Sequence, residues 1–284
     1  MKEVSYYPGC SLHGTAREYD ESIRGVSNLL DLKLHELEDW TCCGASSAHC
    51  TDEKLALNLA ARNLAIAEKT STRDLLVPCV ACYNRLKAVE KEVKEHPDAV
   101  QIPCQGNVPI RYALDFFCDG PVLEEVKKKR VKPLNGLKVV CYYGCLTVRP
   151  PKLTGIEHYE NPTHMDDLME ILGAEPIPWS YKTDCCGASL VMTRTDIVRT
   201  LCGRLLSMAT EAEADCLVTG CPMCQANLDT RQEEISKAGG GKFEIPVLYF
   251  TELMGLALGH QDAKKWFGHH ITDPIKVLNR KGLL

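Results

Sequence analysis

The constraint that dominates this sequence is a repeat written in cysteine. Of sixteen cysteines in 284 residues, ten fall into two sets in the same order. The first set is Cys10, Cys42-Cys43-Gly44 and Cys79-Val80-Ala81-Cys82, and the second is Cys145, Cys185-Cys186-Gly187 and Cys221-Pro222-Met223-Cys224. Partners stand 135 residues apart for the lone cysteine (Cys10 to Cys145), 143 for the doublet (Cys42 to Cys185) and 142 for the CxxC pair (Cys79 to Cys221). A register that drifts so little marks one unit built twice. The flanks agree, since Ala45-Ser46 and Ala188-Ser189 follow the two doublets. Each doublet also leads into an apolar stripe at helical spacing, Leu57, Ala60, Ala61, Leu64 and Ala67 in one half and Ile197, Leu201, Leu205, Met208 and Ala212 in the other.

Short apolar or β-branched runs at 4–7, 34–37, 75–77, 137–143, 175–179 and 217–219 read as strands, and the motif cysteines follow them. Helical patterns at 17–30, 83–93, 166–172 and 226–235 lie between. Strand and helix in alternation predict an α/β fold, here two pseudo-symmetric repeats, each a small parallel sheet with flanking helices and its cysteines at the C-terminal strand ends. The expected boundaries are residues 1–132 for the first domain, 133–259 for the second and 260–284 for a C-terminal tail. A Pro-, Gly- and charge-rich stretch around 119–136 reads as the linker.

Composition excludes several classes. No run approaches the ~20 apolar residues of a membrane span, and mean hydropathy is −0.17. Thirty-three Lys and Arg against 38 Asp and Glu leave a net charge of −5, with no basic field for nucleic acid. The basic run 127–132 reads as a solvated linker face. The N-terminus shows no export signal, so a cytoplasmic location is expected, where thiols stay reduced and clustered cysteines serve metals or redox chemistry.

Soft thiolates select zinc or iron–sulfur clusters. A structural zinc takes four ligands, and ferredoxin-type cubanes also use four cysteines, often in a compact run absent here. Each half offers five. Neighbouring side chains on extended backbone point to opposite faces, so an adjacent Cys-Cys pair suits a larger or irregular cluster. With those spacings, glycines and alternating elements, the chain resembles the CCG-domain (cysteine-rich domain) family, typified by the B-type subunit of heterodisulfide reductase. The resemblance spans residues 1–259. It implies two non-cubane [4Fe-4S] clusters, one held by Cys10, Cys42, Cys43, Cys79 and Cys82, the other by Cys145, Cys185, Cys186, Cys221 and Cys224. It further implies a catalytic role, the reduction of a disulfide substrate to two thiols, in complex with a flavin-containing and a ferredoxin-like subunit. Two alternatives stand beside this: a non-catalytic electron-transfer subunit, and structural zinc in one half.

Disulfide reduction consumes protons, and His13 and His49, close behind motif cysteines, are the candidate donors. Arg17, Arg149 and Arg194 are candidates to attract an anionic substrate. Cys50, Cys104, Cys118, Cys141, Cys202 and Cys216 have no partner at the repeat offset and read as packing residues, with Cys50 and Cys141 near enough to motif cysteines to support them.

Overall fold

The computed structural model describes residues 2–45, 48–239 and 241–284, apart from the side chain of His49. The first half runs β1 (Lys2–Tyr6), α1 (Gly9–His13), α2 (Arg17–Leu29), β2 (Leu32–Glu36), α3 (Ala48–Thr51), α4 (Glu53–Ala67), β3 (Leu75–Val77), α5 (Val80–Glu95), β4 (Ile110–Tyr112) and α6 (Ala113–Phe117). Helix α7 (Gly120–Lys129) joins it to the second half. There follow β5 (Lys138–Tyr142), α8 (Cys145–Val148), α9 (Pro151–Thr154), α10 (His164–Leu172), β6 (Glu175–Pro176), α11 (Thr195–Glu211), β7 (Cys216–Thr219), α12 (Pro222–Thr230), α13 (Gln232–Lys237), β8 (Val247–Tyr249) and α14 (Phe250–Ala257). The last residues form α15 (Ala263–Phe267) and α16 (Ile275–Arg280).

Each half holds a four-stranded sheet, in the order β2-β1-β3-β4 and β6-β5-β7-β8, with every pairing parallel. Parallel neighbours need crossover connections, and the helices supply them while covering both sheet faces. That is why β3 and β7 are buried at every residue. The expected α/β architecture of two parallel sheets is therefore present.

Several elements differ from the sequence reading. Strands β4 and β8 add a fourth strand to each sheet. The strand expected at 175–179 pairs only at Glu175 and Pro176, and the helix expected at 226–235 is broken at Arg231 into α12 and α13. The stretch read as linker carries helix α7: Pro121 occupies its first turn, and Lys127, Lys128 and Lys129 sit at its C-terminal end, where cations complement the dipole. Those lysines pair with Glu124, Glu125 and Asp31.

The two halves share one continuous core. Helix α14 of the second half lies on α2 of the first, with Ser22 Oγ 2.7 Å from Thr251 Oγ1 and the Tyr19 and Tyr249 rings stacked at 4.1 Å. Helix α6 reciprocates toward α10, where His164 meets Asp115 at 3.4 Å and Cys118 Sγ donates to the His164 carbonyl. The final segment seals the joint, with Trp266 seated against Gly25 of α2 and Gly255 of α14.

Candidate functional site

In each half three strand ends deliver cysteines to one place. Strand β1 runs out at Tyr6, and Gly9 turns the chain so that Cys10 opens α1. Strand β3 ends just before Cys79, the residue that precedes α5, whose first turn carries Cys82. The chain leaving β2 brings in Cys42 and Cys43. The second half repeats this with Cys145 at the start of α8, Cys185 and Cys186 beyond β6, and Cys221 and Cys224 at the head of α12.

The geometry repeats as well. Cys10 and Cys42 sulfurs stand 4.0 Å apart, as do those of Cys145 and Cys185. Cys43 is 3.2 Å from Cys82, and Cys186 is 3.6 Å from Cys224. These are non-bonded contacts, far above the ~2.05 Å of a disulfide. Cys43, Cys79 and Cys82 are buried while Cys10 and Cys42 are exposed; in the other half Cys186, Cys221 and Cys224 are buried and Cys185 is exposed. Each group thus has a buried floor and an open rim. Glycine makes the crowding tolerable: Gly9 and Gly144 hold φ of +73° and +68°, and a Cβ would lie 2.8 Å from the Cys82 sulfur and 3.0 Å from that of Cys224.

Thiols packed this closely cannot all ionise on their own. Hydrogen bonds from Cys42 and Cys82 hold Cys43 down at about 3, while Cys42 and Cys82 are pushed up. In the second half, the Cys145 thiol holds Cys185 down at about 6, Cys224 holds Cys186 down, and Cys145 and Cys224 rise. Metal cations would remove this competition by letting every thiol ionise, and the five soft donors per half fit an iron–sulfur group in that respect. Among the described residues no three or more His, Cys, Asp or Glu are drawn in as tightly as the ligands of a single ion; the thiols stand in contact pairs.

Around these matching cradles the two halves diverge. Tyr7 and Tyr142 correspond, donating to the carbonyls of Thr41 and Asp184, and each packs edge-on against a tryptophan, Trp40 or Trp179. In the first half, however, the Trp40 indole donates to Glu36, which also binds His13 at 3.0 Å and Arg24. In the second, Trp179 donates to the Cys141 carbonyl. Three residues past each CxxC stands Arg85 in one half and Asn227 in the other. The charge of Arg85 favours the Cys43 thiolate, whereas Asn227 Nδ2 donates to the Cys186 carbonyl and sulfur.

His13, predicted as a proton donor, is turned to Glu36 and Trp40 and lines a ~280 Å³ cavity with Leu12, Arg17, Asp20 and Glu21. The side chain of His49, the other predicted donor, lies outside the described residues. Arg149 donates to the Thr183 carbonyl, and Arg194 pairs with Asp196 in the open. Cys141 and Cys216 are buried in β5 and β7. Cys202, read as packing, places its sulfur 3.4 Å from the Cys186 carbonyl and so touches the second cradle. The repeat offset could not reveal that, because Ala60 stands where the first half would need a match. The cradles are linked directly: Asn84, two residues beyond Cys82, donates at 2.6 Å to the carbonyl of Leu146, the neighbour of Cys145.

Comparison with known proteins finds the same duplication. The model of the CCG cysteine-rich domain matches residues 4–87 and 139–229, one copy per half. The 8-methylmenaquinol:fumarate reductase membrane anchor subunit of Wolinella succinogenes is 35 % identical, with 98 % of this chain and 99 % of that one aligned. The B-type subunit of the ferredoxin:CoB-CoM heterodisulfide reductase of Methanosarcina mazei is 28 % identical over 91 % of this chain and 90 % of that one. A crystal structure of a hypothetical protein from Helicobacter pylori superposes with a TM-score of 0.74 at 12 % identity, covering 96 % of this chain, which spans about half (52 %) of that one. Among the described residues no helix is long and apolar enough to cross a membrane. Two domain matches, one on each five-cysteine cradle, together with relatives aligned over nearly the whole length, establish that the chain belongs to the CCG cysteine-rich domain family.

Proposed function

We propose that the chain is the catalytic iron–sulfur subunit of a multi-subunit oxidoreductase that reduces a disulfide. In this reading Cys10, Cys42, Cys43, Cys79 and Cys82 hold one non-cubane [4Fe-4S] cluster, and Cys145, Cys185, Cys186, Cys221 and Cys224 a second. The observation that carries it is the duplicated cradle, two five-thiol groups with the same buried floor and open rim, joined across the halves by the Asn84–Leu146 hydrogen bond. The domain limits 1–132 and 133–259, with 260–284 beyond, are part of the same proposal.

When bound, the clusters supply the two electrons of the reaction, in which the S–S bond breaks and two S–H bonds form with two protons taken up. The chain's own residues do the rest. Buried Cys43, Cys82, Cys186 and Cys224 anchor the inner side of each site. Asn227 places an N–H dipole at the Cys186 sulfur, and Arg85 a charge toward Cys43; both favour negative sulfur. Tyr7 and Tyr142 wall the floors, and burial together with the neighbouring thiolates pushes their hydroxyls up, so they remain neutral. Electrons arrive from partner subunits, for which the flavin-containing and ferredoxin-like subunits of heterodisulfide reductases are the template.

A second reading draws on the 35 % identity to a membrane anchor subunit of a menaquinol:fumarate reductase. There the same centres would relay electrons between a quinol and a partner without meeting a disulfide. Reoxidation of the chemically reduced chain separates the two. The first reading expects CoM-S-S-CoB or a simple dialkyl disulfide to reoxidise it and release two thiols per two electrons. Reoxidation by a menaquinone analogue alone would replace that reading with the second.

A further inference from the structure

Each group keeps an outer pair of sulfurs 4.0 Å apart, Cys10 with Cys42 and Cys145 with Cys185. The members of a pair come from separate segments. Cys10 and Cys145 stand in the first turns of α1 and α8, whereas Cys42 and Cys185 lie on irregular chain beyond β2 and β6. Irregular backbone has no ladder of hydrogen bonds to place it, so its polar groups must find side-chain or loop partners. The two halves meet that need with different residues.

In the first half the hold comes from Asn63 of α4, which is fully buried. Its Oδ1 accepts from the Thr41 N–H at 2.8 Å, and its Nδ2 donates to the Thr41 carbonyl at 2.9 Å. One amide thus satisfies both backbone groups of the residue before Cys42, and these partners fix which way the amide points. The Tyr7 hydroxyl adds a bond to the same carbonyl at 2.7 Å. The second half keeps the tyrosine bond, from Tyr142 to the Asp184 carbonyl, and loses the amide. Gly44 lies against Leu59 as Gly187 lies against Leu201, an offset of 142 that puts buried Leu205 in the place of Asn63. A leucine side chain can hold no backbone group.

What stands in its stead reaches the doublet from another direction. The Lys182 carbonyl accepts from the N–H groups of Tyr143 and Gly144 at 2.9 and 3.0 Å, so one oxygen ties the approach to Cys145 to the approach to Cys185. The Lys182 side chain then anchors that oxygen: Nζ lies 2.9 Å from Asp166 on α10 and donates to the Pro162 carbonyl at 3.0 Å. The Tyr143 hydroxyl donates to the same carboxylate at 2.7 Å, closing a ring from Lys182 through Asp166 and Tyr143 back to Lys182. Apart from the pairs of His270 in the joint, where burial disfavours the imidazolium yet the Glu252 carboxylate 2.9 Å away lifts it to about 9, Lys182 and Asp166 form the most buried ion pair among the described residues. A pair so deep adds little net stability, which leaves the fixing of one geometry as its contribution. The first half cannot copy the ring. Pro8, at the place of Tyr143, has no N–H to donate, and Asp39, at that of Lys182, turns its side chain to solvent.

We infer that Asn63 and Lys182 are the positioning residues of the two groups: Asn63 fixes Cys42 through Thr41, and Lys182, with Asp166 and Tyr143, fixes Cys185 against Cys145. This rests on the reading of the ten cysteines as cluster ligands given above, and says how each set is held. A ligand pair already held together need not be ordered when the group binds, so each centre depends on its own residue and not on that of the other half.

Anaerobic release of iron to the chelator bathophenanthroline tests this on full-length chain carrying one centre at a time, Cys186→Ser for the first and Cys43→Ser for the second. Should either serine variant hold no iron, the two electron paramagnetic resonance signals of the otherwise intact chain report the same centres. Asn63→Leu is expected to speed release from the first centre about tenfold or more and to alter its signal, with the second centre unchanged. Lys182→Met should do the reverse, and Lys182→Arg, which keeps a cation for Asp166, should recover most of the loss. If Asn63→Leu does not fold, Tyr7→Phe removes one bond to the Thr41 carbonyl and should move the first centre alone in the same direction. Equal acceleration at both centres, or at neither, overturns the assignment. The cluster reading is judged separately by the metal of the unsubstituted chain. Zinc in one half ends that reading for that half, and release of the zinc then tests the same variants; a half that takes up no metal overturns both.

Discussion

The two cysteine cradles have the same inner geometry and different surroundings, and the contrast separates what the sites must share from what they need not. Shared are the five thiols, the positive-φ glycine whose Cβ would strike the CxxC sulfur, and the tyrosine that walls the floor. Different are the charges. The first half sets Arg85 toward its doublet and builds the Tyr6–Asp20–Arg24–Glu36–His13 network beside it. The second half offers neutral Asn227 and receives Cys202 against its doublet. Duplication has thus kept the geometry of the cysteine cradle and relaxed the charges around it, as expected if the two proposed sites bind alike and differ in potential.

Removing one buried ligand should break the symmetry most severely. Cys43→Ser is expected to lose about half of the bound iron, about four atoms, and Cys186→Ser the other half, each leaving the remaining centre's electron paramagnetic resonance signal in place. Loss of all iron from either variant would mean the halves do not load independently. Gly9→Ala and Gly144→Ala come next. Each forces a Cβ onto a sulfur in left-handed backbone, at a cost of about 1–3 kcal/mol, with Gly9→Ala the worse because its approach is closer. Thermal melts with iron analysis would check both size and order.

The joint supplies a pH test of comparable size. His270 titrates at about 9 in the folded chain against about 6.5 unfolded. A raised value contributes stability that is fully present below about 6.5 and is lost as pH climbs through about 9. Denaturant melts across that window should show a decline of at most about 3 kcal/mol, absent in His270→Gln. Smallest is the exchange of tuning groups: Arg85→Asn should lower the reduction potential of the first centre, and Asn227→Arg raise that of the second. Redox titration of the two signals reads both shifts, and unchanged potentials would show that the flanking charges do not tune the sites.

Much of this is legible from cysteine spacing, because a cluster of converging thiols fixes residue type and register together. The parallel sheets follow from alternation at β1, β2, β3, β5 and β7. Strands β4 and β8 are hidden because Ile110-Arg111-Tyr112 and Val247-Leu248-Tyr249, as short as β3, lead into no motif cysteine that would single them out. Their pairing with β3 and β7 gives them their form. Helix α7 is masked by composition: Gly120-Pro121 and a lysine run suggest a linker, yet Pro in the first turn and cations in the last are also how a helix begins and ends. Tyr19, Glu252 and His270 give no sequence signal, since they come together only when α14 and the final segment cross onto α2, a long-range packing event with no local pattern. The approach of Cys202 to the second cradle is invisible for the same reason.

Whether both cradles hold iron–sulfur clusters of the same kind is tested most directly by counting iron and acid-labile sulfide on anaerobically purified chain. The expected result is about eight of each per chain, about four per half. A count of about four with one zinc would contradict it and leave a single redox centre facing a structural metal.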